Sequence, residues 1–204
     1  MLCRDLGSPI CKRCCAQHLA GRRVVNRFDL SGFAVCEYDS KAQILIHEFK
    51  ENHQTQIAME MAKSIAKLVP DSCRILVPIP SKKSSFSKRG FVPAKLLALR
   101  VSSQVARHQG RFIQVLDLLS YQRLVLDQAA LSGHDRRNNL NGAFRLKAKV
   151  KAHQVWLIDD VVTTGATVRE AKRCLVEAGI GVAGFLSFAE TLPKNQQKRH
   201  AKSF

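Results

Sequence analysis

A chain of 204 residues, 46% hydrophobic and 24% charged, has the size and apolar share of one folded domain with room for a small appendage, and wholesale disorder is excluded. Lys and Arg number 33 against 16 Asp and Glu, a formal charge of +17, so an anionic partner is expected: a nucleic acid or a phosphate-bearing small molecule. The longest uncharged apolar stretch, Ala178–Ala189, falls short of the ~20 residues that cross a bilayer, and no apolar signal core follows Met1-Leu2-Cys3-Arg4-Asp5; a cytoplasmic chain without membrane contact is expected.

The first 35 residues stand apart by composition, with Cys3, Cys11, Cys14 and Cys15 among six Lys/Arg and little apolar periodicity. In a reducing compartment clustered thiols are metal ligands or small hydrophobes rather than a disulfide framework. From Cys36 the pattern becomes α/β. Ile57, Met61 and Ile65 recur every fourth residue and predict a helix over Gln56–Leu68, closed by Pro70 and Asp71. Arg74–Val77 is a buried strand ended by Pro78. Pro93 opens a helix reaching about Arg107, with Leu97, Val101 and Val105 on one face. Phe112–Leu119 is a weaker strand. Ser120–Phe144 is polar, rich in Arg and Asn, and reads as a long functional loop or arm.

Gln154–Ile158 is a second buried strand. Thr167–Ala178 is a helix that turns Ala171, Cys174, Leu175 and Ala178 inward and ends at a left-handed Gly179. Val182–Ala189 is a last strand, and residues 193–204 form a basic, frayed tail. Cys73 and Cys174 read as core thiols. Strands alternating with helices imply a parallel sheet that binds ligands at the carboxyl ends of its strands.

The densest chemistry lies in Trp156-Leu157-Ile158-Asp159-Asp160-Val161-Val162-Thr163-Thr164-Gly165-Ala166-Thr167. A strand runs into two carboxylates, a small-residue turn and a helix start. The helix start offers unpaired N–H groups and a positive dipole end, a seat for phosphate. Gly165 admits close backbone approach, and the hydroxyls of Thr163, Thr164 and Thr167 add donors. Asp159 and Asp160, just before that seat, suit the hydroxyls of a sugar. A phosphate cradle beside a diol acceptor describes a ribose 5-phosphate site; Walker A and G-x-G-x-x-G patterns are absent.

This segment resembles the phosphoribosyl-pyrophosphate (PRPP) motif of type I phosphoribosyltransferases, and the chain as a whole resembles the ComF family (ComFC/GntX-like proteins). Val77-Pro78-Ile79-Pro80 with Lys88-Arg89-Gly90-Phe91 is similar to the family's V-P-x-P…R-G-F block. Gln128, Leu131-Ser132, Asp135-Arg136-Arg137 and Asn139-Leu140-x-Gly142-Ala143-Phe144 resemble its Q…L-S…E-R…N-x-x-G-A-F block, and Lys50 matches a lysine the family carries before its first domain helix. The resemblance runs from Cys3 to about Ala189.

It implies a type I phosphoribosyltransferase-like parallel sheet flanked by helices over 36–192, preceded by a small Cys-rich, zinc-ribbon-like module over 1–35. It also implies PRPP and Mg²⁺ as ligands. Asp159 and Asp160 would hold the ribose hydroxyls, Val161–Thr167 the 5-phosphate, and Pro80–Ser81 would face the pyrophosphate with Lys50 and Arg89 or Arg136 nearby. Charge grows on the departing pyrophosphate while the sugar becomes cationic, and Mg²⁺, guanidinium groups and acids answer those demands. Three or four charge-assisted bonds in the cradle give roughly 5–12 kcal/mol, against about 4–15 kcal/mol of association cost. A second anion subsite is therefore required, and Lys82–Arg89 with Arg136–Arg137 is where it is expected.

Where the family continues with Asn-Gln-Ala-Glu, this chain has Val92-Pro93-Ala94-Lys95, a departure at the acceptor end of the site. Of a four-ligand zinc module, Cys3, Cys11 and Cys14 supply three; the fourth position falls before Met1, which leaves an earlier start, Cys15, His18 or Cys36, or a degenerate module. Two functions follow: phosphoribosyl transfer from PRPP to an unidentified acceptor, or a competence-type accessory role in DNA uptake. The latter would bind single-stranded DNA on the same scaffold without turnover, although aromatics at 6% offer few stacking platforms.

Overall fold

The computed structural model describes residues 21–52, 54–122 and 140–192. Its elements in chain order are β1 (Arg23–Arg27), β2 (Leu30–Glu37), α1 (Ser40–Lys50), α2 (Thr55–Ala66), β3 (Ile75–Pro78), α3 (Lys83–Arg89) and α4 (Pro93–Gln109). They continue with β4 (Gln114–Val115), β5 (Leu119–Tyr121), β6 (Phe144–Leu146), β7 (Gln154–Val162), α5 (Ala166–Glu177) and β8 (Gly181–Glu190). Six strands form one sheet in the order β1-β2-β8-β7-β3-β4, parallel throughout except for the antiparallel β1–β2 pair. β5 and β6 make a separate antiparallel ribbon.

Successive strand residues point to opposite faces, and the core divides accordingly. Leu76, Ile158 and Leu186 pack with Phe49, Ile57, Met61, Ile65, Leu97 and Val101 under α1, α2 and α4. Their neighbours Val77, Leu157 and Phe185 pack with Leu119, Phe144, Val168, Ala171 and Leu175 under α5 and the ribbon. The expected class, a mostly parallel sheet flanked by helices, is the one observed, and the expected Gly179 takes a left-handed φ of 79°. Among the described residues no helix is long and apolar enough to cross a membrane.

Several expectations need correction. The sheet begins at Arg23, inside the segment assigned to the Cys-rich module, because Gly32–Glu37 pairs with Phe185–Glu190 and β1 pairs with β2. Phe112–Leu119 is not one strand. After Leu116, whose N–H still bonds the Leu76 carbonyl at 2.9 Å, the chain turns at Asp117, which Lys95 and Lys147 hold at 3.0 and 2.6 Å, and Leu119–Tyr121 pairs with β6 instead. The two ends of the expected Ser120–Phe144 loop thus form that ribbon, while residues 123–139 lie outside the described residues, as do 1–20 and 193–204.

Two helices went unread. α1 carries Ala42, Leu45, Ile46 and Phe49 inward, and Asp39 caps it by accepting from the N–H groups of Lys41 and Ala42 at 3.0 and 2.8 Å. α3 buries no side chain and ends at Gly90, φ 72°. β7 extends four residues past Ile158, so Asp159 and Asp160 stand inside the strand rather than just after it.

Candidate functional site

The carboxyl end of β7 opens on a cleft of about 1020 Å³, ample for a small ligand. Asp159 and Asp160, consecutive on the strand, face different neighbours. Asp160, 4% exposed, meets the Lys50 ammonium at 2.6 Å, and Lys50 is the last residue of α1, where a cation also suits the helix dipole. Burial works against the Lys50 ammonium, but the charge and hydrogen bond of Asp160 and the charge of Asp159 outweigh it and hold its pKa above the usual lysine value.

Asp159 is half-buried, and its Oδ1 accepts from the Asp160 N–H at 2.9 Å. Burial first, and then the adjacent Asp160 charge, push its carboxyl well above the ordinary range, against the pull of Lys50 and that hydrogen bond. On its other side stands Tyr121, whose phenol is pushed up to about 12 by burial and by the Asp159 charge. Two carboxylates in one site thus have unlike environments, one locked to a cation and one left to gain a proton or a ligand.

The turn after β7 places Thr163 and Thr164 at the surface, and Thr163, Thr167 and Val161 line the cleft. Gly165, φ 81°, is the N-cap of α5 and offers no capping side chain. The Ala166 N–H meets the Thr164 hydroxyl at 3.3 Å. Not every residue assigned to the seat has a free side chain: Val162 and Ala166 are buried in the core at 2% and 6% exposure, since they point down into the sheet and toward α5. They contribute backbone alone.

β3 lies beside β7 in register Pro78↔Ile158, and the Ile79 N–H bonds the Ile158 carbonyl at 3.0 Å. That pairing sets Pro80 and Ser81 on the cleft wall next to the two acids. Arg89 reaches the same cleft from the end of α3. Glu51 holds its Nη1 at 3.1 Å, and its buried Nε has no partner among the described residues. Lys50, Pro80, Ser81, Arg89, Asp159 and Asp160, scattered over the sequence, are therefore brought together. Arg136 lies outside the described residues.

The far wall was missed by sequence reasoning. Ser40, Gln43, Ile44 and His47 share one face of α1 at helical spacing and line the cleft with Tyr38. The signal for them was the alternate face of the same residues that carry Ala42, Leu45, Ile46 and Phe49. Of the departing segment, Pro93 and Ala94 line the cleft, whereas Lys95 turns to Asp117 at 3.0 Å.

Of the expected zinc ligands, Cys3, Cys11, Cys14, Cys15 and His18 lie outside the described residues. Cys36 sits in β2 with its thiol against the Phe188 carbonyl at 3.5 Å, and burial, with Asp39 nearby, pushes it up to about 12. Such a thiol stays protonated and behaves as a core side chain, as do the buried Cys73 and Cys174.

No family model matches the chain. It is 26% identical over 205 residues to the DNA utilization protein YhgH of Escherichia coli strain K12, covering 94% of this chain and 85% of the relative. It is 30% identical over 157 residues to competence protein F of Haemophilus influenzae, covering 70% and 65%, and 29% identical over 154 residues to competence protein ComFC of Bacillus subtilis strain 168, covering 72% and 58%. Among solved structures, it is similar to an adenine phosphoribosyltransferase at a TM-score of 0.44 and 12% identity over 91% of this chain and 93% of that one. For an orotate phosphoribosyltransferase from Aeropyrum pernix the values are 0.41 and 14%, over 89% and 81%.

Proposed function

Because this chain belongs to the ComF family, we propose that it binds PRPP with Mg²⁺ at the carboxyl end of β7 and transfers the phosphoribosyl group to an acceptor, releasing pyrophosphate. The observation that carries this reading is the common cleft shared by Asp159, Asp160, the Thr163–Thr167 turn and Arg89. Thr163, Thr167 and the first N–H groups of α5 hold the 5-phosphate. Asp160, fixed by Lys50, accepts from a ribose hydroxyl. Arg89, oriented by Glu51 and with Nε unpartnered among the described residues, supplies the second anion subsite that binding requires. The bond from C1 of the sugar to pyrophosphate breaks with its electron pair leaving on oxygen, and a lone pair of the acceptor forms the new bond.

Oxygen donors side by side, one of them not engaged by a lysine, fit Mg²⁺, which binds through one or two carboxylates plus substrate phosphates. When bound, Mg²⁺ neutralises charge on the leaving pyrophosphate. Asp159 is the carboxylate available to it. The acceptor would lie against Tyr38, Gln43 and His47 of the far wall.

Titration calorimetry with PRPP and Mg²⁺ tests this reading. Binding is expected for the wild type and a loss of at least about tenfold for Asp159→Asn with Asp160→Asn; a wild type that does not bind, or a double variant that binds equally well, refutes it. A second reading is favoured by the +17 charge and by the competence and DNA-utilization names of the relatives: a part in DNA uptake through single-stranded DNA. Oligonucleotide affinity that falls steeply with salt would support it, and millimolar affinity without a salt slope would end it.

A further inference from the structure

We propose that the β1–β2 hairpin is a clasp on the loop after β7, with Arg27 as its positioning residue; the clasp rests on the reading of that loop as the 5-phosphate seat. Arg27 is 8% exposed. Its Nε donates to the Thr163 carbonyl at 2.8 Å, and its Nη2 donates to the Thr191 carbonyl at 2.6 Å and to Glu190 Oε2 at 2.9 Å. One guanidinium therefore ties the residue following β7 to the residue following β8. Glu190 is shared with Arg23, whose Nε it holds at 2.8 Å, and Arg27 Nη1 donates to the Asn26 carbonyl at 3.0 Å; with each of its nitrogens engaged on backbone carbonyls or Glu190, Arg27 acts by geometry rather than as counterion to a ligand.

The consequence for the loop follows from peptide planarity. With the Thr163 carbonyl bound to Arg27, the Thr164 N–H of the same trans peptide points away from Arg27. The stem of Arg27 also fills the space beside Gly165: a Cβ there would stand 2.6 Å from Arg27 Cβ, and φ is +81°. The loop's tightest residue is thus moulded on Arg27.

The hairpin turn extends the grip to the helix. Phe28 holds a positive φ of 54°, uncommon for a bulky residue, with its ring 4.4 Å from the Arg169 guanidinium. Asp29 pairs with Lys172 at 2.5 Å. Arg169 and Lys172 are both on α5, and the Arg169 N–H bonds the Gly165 carbonyl at 2.9 Å. Loop and first turns of α5 are held from behind by one strained hairpin.

Backbone ¹⁵N relaxation and calorimetry on wild type, Arg27→Lys and Phe28→Ala test the clasp, with ribose 5-phosphate and inorganic pyrophosphate as separate ligands. Lysine keeps the charge opposite Glu190 but cannot serve both carbonyls. In Arg27→Lys the order parameters of 163–165 are expected to fall from about 0.85 to below about 0.6. Ribose 5-phosphate affinity is expected to drop at least about tenfold while pyrophosphate affinity stays within about twofold. Phe28→Ala, altered at a half-exposed ring, moves the same way by less and carries the test if Arg27→Lys does not fold. Unchanged order parameters at 163–165, or equal loss for both ligands, overturn the clasp. A wild type that binds neither ligand overturns the sugar-phosphate reading instead, and the relaxation data then decide the clasp alone.

Discussion

Replacing Lys50 by Met removes the ammonium 2.6 Å from Asp160 while keeping most of the side-chain volume. Asp160 is then left without its cation, beside an Asp159 whose raised pKa keeps a proton on it up to about pH 8. Breaking a buried pair from one side costs about 3–5 kcal/mol, and because the Lys50 side chain is 26% exposed we take the lower end, about 3 kcal/mol. For a chain of this size that corresponds to a fall of about 6–12 °C in Tm near pH 8. The sign with pH follows from Asp159. Its folded-state pKa is raised, so its contribution to stability is fully present below the ordinary aspartate pKa and is lost as pH rises through the raised value. Lys50 is one of the groups holding that rise in check, so Lys50→Met pushes the carboxyl higher still and extends the loss to higher pH. Thermal melts of wild type and variant from pH 5 to 9.5 should show a gap that is steady up to about pH 8, where both keep the proton on Asp159, and that widens above it, where only the wild type sheds that proton and stops losing stability. A variant as stable as wild type at pH 8, or a gap that does not change with pH, refutes the reasoning.

Arg89→Ala should weaken pyrophosphate and PRPP by about ten- to a hundredfold, from loss of a charged hydrogen bond, with ribose 5-phosphate affinity little changed; calorimetry with each ligand reads the difference. Lys95→Glu places an acid against Asp117, which Lys147 still holds at 2.6 Å; the side chain is 46% exposed, so stability should fall by less than about 1 kcal/mol and PRPP affinity should stay within about twofold. A large loss of PRPP affinity would return Lys95 to the cleft. Metal analysis of the purified protein should find about one Zn²⁺ per chain, abolished in Cys11→Ser with Cys14→Ser; a wild type without zinc ends the zinc-module proposal.

The centre of the site was legible because its parts are contiguous. A buried strand, two acids, a small-residue turn and a helix start follow one another in twelve residues, and local geometry alone carries them off the carboxyl end of a central strand. The other parts were harder to see for identifiable reasons. α1 has its cap and its apolar spacing in plain view, with Ser40, Gln43, His47 and Glu48 interspersed; those polar residues are a wall of the cleft. β1 and β2 lie next to a cysteine-rich stretch whose composition masked their alternation, and β8, the strand that joins β2 to the sheet, is over 150 positions away.

Residue order was enough to specify the alternation of strands and helices and the turn and helix start after β7, since both arise from periodicity and chain neighbours. What lay beyond it was pairing at a distance. Which acid is neutralised depends on Lys50 arriving at the end of α1, and Arg89 gains its place from Glu51, 38 positions upstream. Arg27 reaches the loop from 136 residues upstream, and the orientation of the Thr163–Thr164 peptide rests on that reach. A guanidinium's reach, a carboxylate's burial and a glycine's contact with a foreign side chain are properties of packed surfaces, and they exist only once the sheet has set β1 and β2 beside β8 and β7.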